Sequence, residues 1–223
     1  MKNTKTDVAK KQLFLVLSAT RRKGLILTDE KRRDLLKLNE KIFKKDGSFK
    51  TFKEQLLEYK TGIFPKRAPL IILPSTDVLH IQGLRSAPLV ISQEIFEHIE
   101  RGHDILVMDL FDLRENIENY VLAMDSKTQT GSIVIILNVT NKENEFIVVP
   151  VHLSKKLWAV EIHSVRSTYG KENIEKWILS TYNAGLGLYA NEKTERWLQS
   201  LGVQFPQSLV NSLSLNKYTE NAD

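Results

Sequence analysis

Cysteine is absent from the 223 residues. That excludes a disulfide-stapled scaffold, a thiol nucleophile, a cysteine zinc site and an iron–sulfur cluster. Long apolar runs are also missing: Leu13 to Leu17, Leu70 to Leu73 and Ile133 to Leu137 fall far short of the roughly 18 residues of a membrane-spanning helix. The start places Lys2, Lys5, Lys10 and Lys11 before five apolar residues, too few for the apolar region of a secretory leader. The expectation is a protein without membrane contact, acting in the cytoplasm of its own or a target cell. Glycine is scarce, with ten residues, and Gly185-Leu186-Gly187 lacks the further glycines of a phosphate loop or dinucleotide fingerprint, so it reads as a turn. Among five histidines, His98 and His103 straddle a helix end instead of sharing a helical face, so neither metal nor cofactor is expected. No internal repeat or low-complexity block is visible.

What is present describes a globular protein, 42% apolar and 26% charged, long enough for one core or for one domain with an appendage. The net charge of +5 is unevenly spread. Residues 1–60 hold 17 bases against 8 acids, whereas the remainder holds 15 against 19. A basic first quarter of this kind attracts nucleic acid or anionic lipid, or simply presents solvated lysine faces.

Residues 29–45 predict a helix capped by Thr28, with Leu35, Leu38 and Ile42 at helical spacing, and Asp46-Gly47 ends it. A second helix is predicted from Phe49 to Tyr59, with Phe52, Leu56 and Tyr59 on one stripe and Gly62 beyond its end. Pro65, Pro69 and Pro74 mark a change of style, the apolar run Leu70 to Leu73 reads as extended chain, and a boundary falls near Pro65. Ser92 then opens the helix SQEIFEHIER, and Gly102 stops it. Four strands follow at 119–125, 132–140, 145–153 and 157–166, rich in Val and Ile and joined by TQTG and NKEN, as an antiparallel meander. Pro150 requires the third strand to be an edge, to be bulged or to break there. Helices are predicted at 172–179 and 192–200, and residues after Pro206 read as a polar, poorly ordered tail. The organisation is a basic helical arm (1–64), an α+β body (65–207) and a tail (208–223).

Two groups of side chains can carry chemistry. On the helix after Ser92, Ile95, Phe96 and Ile99 form the buried stripe, and Glu94, His98 and Arg101 share its flank. A histidine at a core edge with a carboxylate one turn away can be oriented for proton transfer, or can merely pack. On the last strand, Glu161, His163, Val165, Ser167 and Tyr169 alternate onto one face if the strand runs that far. Trp158, Val160, Ile162, Ser164 and Arg166 take the other, whose apolar members look like core.

The string HSVRSTYG at 163–170, then KENIEKWI, then GLYANEKTERWLQSLGVQFP, with PLVISQEIFEHIERGH upstream, resembles the C-terminal domain attached to phage MuF-type proteins. The similarity spans about residues 68–207. That family is similar to a phage branch of metal-independent nucleases sharing the fold of barnase, EndoU, colicin tRNases and RelE. The resemblance implies helices packed beside a four-stranded antiparallel sheet, and RNA cleavage without metal or cofactor. It also implies a toxin delivered or encoded by a phage or mobile element, with tRNA among candidate substrates and an immunity or antitoxin protein as partner. Carried over residue by residue, it assigns catalysis to His98, His103, Ser167 and Tyr169. His163 stands where the family more often has an amide, which makes it a substitute ligand, a catalytic gain or a neutral change.

Metal-free RNA cleavage needs a base for the 2′-hydroxyl, an acid for the departing 5′-oxygen and cations for the phosphorane. In this reading His98 is the acid or base and His103 or His163 the second proton-transfer group. Ser167 and Tyr169 position the phosphate, Arg101 or Arg166 neutralises it, and the basic arm adds salt-dependent affinity for the RNA backbone. Two other classes stay open: a non-catalytic phage accessory protein that keeps the fold and binds a partner, and a DNA-binding regulator led by the basic helices, which lacks a helix-turn-helix pattern.

Overall fold

The computed structural model describes residues 44, 50–65, 68–102, 110–157 and 160–218. The first predicted helix, at 29–45, lies almost wholly outside them. The next helix forms as α1, Phe52–Lys60, with a boundary the sequence also encodes: the Thr51 hydroxyl accepts from the Glu54 N–H while the Glu54 carboxylate accepts from the Thr51 N–H. This reciprocal cap satisfies two amides that would otherwise lack partners. α1 buries Phe52, Gln55 and Leu56, and the Gln55 amide both accepts from the Ile71 N–H and donates to the Ile71 carbonyl. Part of the region assigned to the arm is therefore packed into the body, where Gln55 occupies the open edge of the first strand.

The strands are β1 (Leu70–Leu73), β2 (Leu89–Ile91), β3 (Leu122–Asp125), β4 (Ser132–Thr140), β5 (Phe146–Leu157), β6 (Val160–Val165), β7 (Tyr169–Lys171) and β8 (Leu188–Ala190). They form one mixed sheet in the order β1-β2-β6-β5-β4-β3-β8, with β7 also paired to β5. The predicted meander is present as β3 to β6, but the four-stranded antiparallel sheet is too small. β2 joins β6 in parallel, β1 extends that side and β8 extends the other. Strand β1 is the extended run expected at Leu70 to Leu73, and the other added strands are three residues long, too short for a period of two to announce them.

Five further described helices accompany the sheet: α2 (Gln93–Gly102), α3 (Leu113–Glu118), α4 (Ile174–Asn183), α5 (Thr194–Ser200) and α6 (Gln207–Tyr218), with a 3-10 turn at Thr76–Leu79. Ser92 caps α2 as expected, accepting from the Ile95 N–H, and Gly102 is the last helical residue instead of the first beyond the end. The expected tail is α6, because Leu209 and Leu213, one turn apart, are both buried against the sheet's second core.

Alternation along the central strands builds two cores. Ile133, Ile135 and Leu137 of β4 and Ile147, Val149 and Val151 of β5 join Phe52, Phe96, Leu113 and Ile117 from α1, α2 and α3. Val134, Ile136 and Val148 join Ile178, Trp197, Leu198 and Leu209 from α4, α5 and α6. Each such aliphatic side chain contributes about 1.5–3 kcal/mol by leaving water.

Candidate functional site

The site forms where β5 changes partners. On one side β5 pairs with β4. On the other it pairs with β7 over Phe146, Ile147 and Val148, then with β6 from Val151 onward. Pro150 sits between. Its carbonyl accepts from the Arg166 N–H at 2.9 Å, and the N and O of one strand residue point the same way. The missing N–H of Pro150 therefore faces the gap between β7 and β6, where no ladder bond is lost. The proline predicts an edge, a bulge or a break, but β5 runs through it as a central strand paired to β4, and what changes there is the partner on its other side.

Beyond this switch the second face of the sheet turns polar. His152 pairs with Ser132 on β4 and with Ser164 on β6, so the three side chains form one row at cross-strand spacing, about 5 Å apart. Arg166 follows Ser164 on the same face, diagonal to His152. His152 is 8% exposed, and its Nε2 lies 2.6 Å from the Gln129 Oε1 in the β3–β4 turn. With that oxygen as acceptor, Nε2–H is the donor and the imidazole lone pair rests on Nδ1. Burial, followed by the charges of Lys155 and Arg166, holds the imidazole below the ordinary histidine value. The ring is thus neutral near pH 7, with the Nδ1 lone pair unpaired among the described residues. The Ser132 hydroxyl beside it is buried and has no hydrogen-bond partner among the described residues.

A bulge aims this row. The β5–β6 register slips between His152 and Lys155, where Ser154 adopts a φ of 53°. His163 holds the slip: its Nδ1 accepts from the Ser154 N–H at 3.1 Å and its Nε2–H donates to the Arg85 carbonyl at 2.8 Å. Both ring nitrogens are spent on main chain, and the residue is 1% exposed. His163 is therefore a strut rather than a substrate ligand. A primary amide in that place would supply the same acceptor and donor.

Strand β6 ends at Val165 and β7 starts at Tyr169, so the predicted alternation from Glu161 to Tyr169 does not persist. His163 and Val165 are buried although the sequence reading put them on the freer face, Ile162 is in the core as expected, and Ser164 and Arg166 belong to the polar row. Ser167 lies in the connection. Tyr169 pairs with Val148 and packs against the second core, and burial pushes its phenol above the usual value. Val148 is four residues from His152, about 13 Å along the strand. His98 is exposed on α2, a helix anchored by Phe96 and Ile99 in the first core. Arg101 is exposed and pairs with Glu97 at 3.0 Å. The structure therefore groups Arg166, Ser167 and Tyr169 around the partner switch and carries His98 and Arg101 on a helix of the other core. His103 lies outside the described residues.

Sequence reasoning passes over His152, Gln129 and Lys155. The signal was present in FIVVPVHLSK, where Phe146, Val148, Pro150 and His152 share one parity and the apolar pattern ends at the histidine.

The glycine- and asparagine-rich motifs have structural duties. A Cβ on Gly170 would stand 2.3 Å from both Asn141 Nδ2 and Glu145 Oε2, and one on Gly187 would stand 2.8 Å from Asp125 Oδ2 and the Tyr189 hydroxyl. Asp125 accepts from the Gly187 N–H and the Tyr189 hydroxyl, locking β8 to β3. Asn191 donates to the Tyr120 carbonyl and Thr194 to the Val121 carbonyl, which seats α5. Among the described residues no three His, Asp or Glu side chains gather as a metal site.

Residues 96–196 match the sequence model of the family described as the phage MuF C-terminal domain. The matched segment runs from α2 into α5 and contains the whole polar row. No curated protein and no solved structure matches the chain.

Proposed function

We propose that this protein is a metal-independent ribonuclease of the phage or mobile-element toxin type, with His152 as its general base. The observation that supports the reading is the row itself: a neutral imidazole with a fixed tautomer, beside two cations, inside the segment similar to the phage MuF C-terminal domain. In this reading the 2′-oxygen of RNA attacks phosphorus and its proton passes to His152 Nδ1. The P–O5′ bond breaks, and the Lys155 ammonium protonates the departing oxygen. Arg166 stabilises charge on the phosphorane, and Ser167 and Tyr169 position the neighbouring backbone. The requirement for a 2′-hydroxyl separates RNA from DNA.

The test is incubation of the full chain with total tRNA, and with single-stranded DNA, in EDTA. Wild type is expected to cut the RNA to fragments with 2′,3′-cyclic phosphate ends and to leave the DNA intact. His152→Ala should lower the rate about 10²–10⁴-fold. An inert wild type supports a binding role instead and overturns the enzymatic reading.

A further inference from the structure

At the opposite end of the same face of β4 from Ser132 lies a cavity of about 550 Å³, lined by Val121, Asn138, Glu192, Lys193, Arg196, Trp197 and Ser200. Its chemistry is biased towards donors. Trp197 is 6% exposed and lines the wall, while its indole Nε1–H is buried away from it with no acceptor among the described residues. Arg196 is exposed and, among the described residues, has no carboxylate within ion-pair distance, so its five donors are available. Lys193 is held in place by its bond to Asn119 Oδ1 and keeps two further N–H donors. The side chain of Asn138 adds an amide, and Glu192 is the single carboxylate on the wall.

Two cations and an amide select an anion rich in acceptor oxygens. The volume is larger than inorganic phosphate needs and falls in the range of small-molecule sites. Val121 and the Trp197 ring supply apolar wall for a flat group, and Glu192 can accept from hydroxyl or amino groups. We propose that this cavity binds a nucleoside monophosphate, either as a free nucleotide or as the phosphorylated end of an RNA chain. This site shares no side chain with the His152 row, and the inference stands whether or not the protein cleaves RNA.

The three tryptophans of the chain give a direct readout. In a ¹H–¹⁵N spectrum of the full chain, the Trp197 indole resonance is assigned by its loss in Trp197→Phe. Titrations use the four nucleoside 5′-monophosphates, a 3′-phosphorylated RNA trinucleotide, adenosine and inorganic phosphate. At least one nucleotide or the trinucleotide should shift the Trp197 resonance saturably, with adenosine and phosphate far weaker. A response to free nucleotide assigns the free ligand, and a response to the trinucleotide alone assigns the RNA end. Arg196→Ala, at an exposed position, should weaken binding about ten-fold, as loss of a charge-assisted bond does. No shift from any nucleotide, equal affinity for inorganic phosphate, or unchanged affinity in Arg196→Ala with an unaltered spectrum elsewhere would each overturn the proposal.

Discussion

The two faces of β4 and β5 come from the same residues in alternation, yet they differ in kind. On one face Ile133, Ile135 and Leu137 lie beside Ile147, Val149 and Val151, apolar from end to end and covered throughout. On the other, Val134, Ile136 and Val148 are apolar only in the middle, where α4, α5 and α6 cover them. Ser132 and His152 stand at one end of that face, and Asn138 stands beside the cavity at the other. A fully covered face can only stabilise. A partly covered one ends in polar strand side chains that the sheet holds rigidly, which is what a positioned base or ligand donor requires.

The comparison is sharpest at adjacent core positions. Ile135→Ala on the first face and Ile136→Ala on the second should each lower unfolding free energy by about 2–5 kcal/mol in urea titrations, since both leave a cavity in a packed core. A much smaller cost on the second face would show that its helix layer is loose and would remove the contrast between middle and margin.

His163 lies between core and site. His163→Ala leaves the Ser154 N–H and the Arg85 carbonyl without partners and should cost about 2 kcal/mol by the same measurement. His163→Gln, able to accept and donate in one side chain, should retain most of that. If glutamine is as damaging as alanine, the strut assignment fails and His163 returns to the set of candidate substrate ligands.

Stability should also respond to pH at both extremes. Burial and the Glu97 carboxylate push Tyr59 up to about 12, and burial with Asp125 pushes Tyr189 up to about 12. Unfolded chains lose these protons near the ordinary value of 10 while folded chains keep them. Stability is thus intact below pH 10 and is lost as pH rises from 10 towards 12. His152 runs the other way. Its folded value is depressed, so unfolded chains take up a proton first, and stability falls as pH drops below the ordinary histidine value of 6.5. Urea midpoints at pH 5, 7, 9 and 11 should trace a dome. Tyr189→Phe should flatten its alkaline limb and His152→Gln its acidic one.

The smallest effect is expected at Ser132. Because its buried hydroxyl has no partner among the described residues, Ser132→Ala should change stability by less than about 1 kcal/mol, or raise it. A loss beyond that would mean that the hydroxyl is satisfied in solution and that this margin is ordinary core.

The alternation of β4 and β5 was legible because nine and twelve residues carry a period of two unambiguously. The Ser92 cap and the helical stripe of Phe96 and Ile99 were legible for the same local reason. Strand β1 was legible as an extended apolar run between prolines, but β2, β7 and β8 were not, because three residues hold no period and their pairing is set by distant partners. The candidate site divided along the same line. Arg166, Ser167 and Tyr169 were named as candidates through a contiguous string. The part played by His163 depends on Arg85, 78 residues away, and the orientation of His152 depends on Gln129, 23 residues away. Pro150 read as an edge, a bulge or a break, whereas the strand continues through it, and only the sheet order shows that it passes there from β7 to β6.

The account rests on the margin of the second face being functional, and His152→Gln tests that most directly when cleavage of tRNA in EDTA and urea stability at pH 7 are measured on one preparation. The expected result is stability within about 1 kcal/mol of wild type, as for a residue outside the packed middle, with cleavage reduced by about 10²-fold or more, while His98→Ala retains near-wild-type cleavage. Wild-type cleavage by His152→Gln, or its loss in His98→Ala with the fold intact, would contradict the account and move the chemistry to α2.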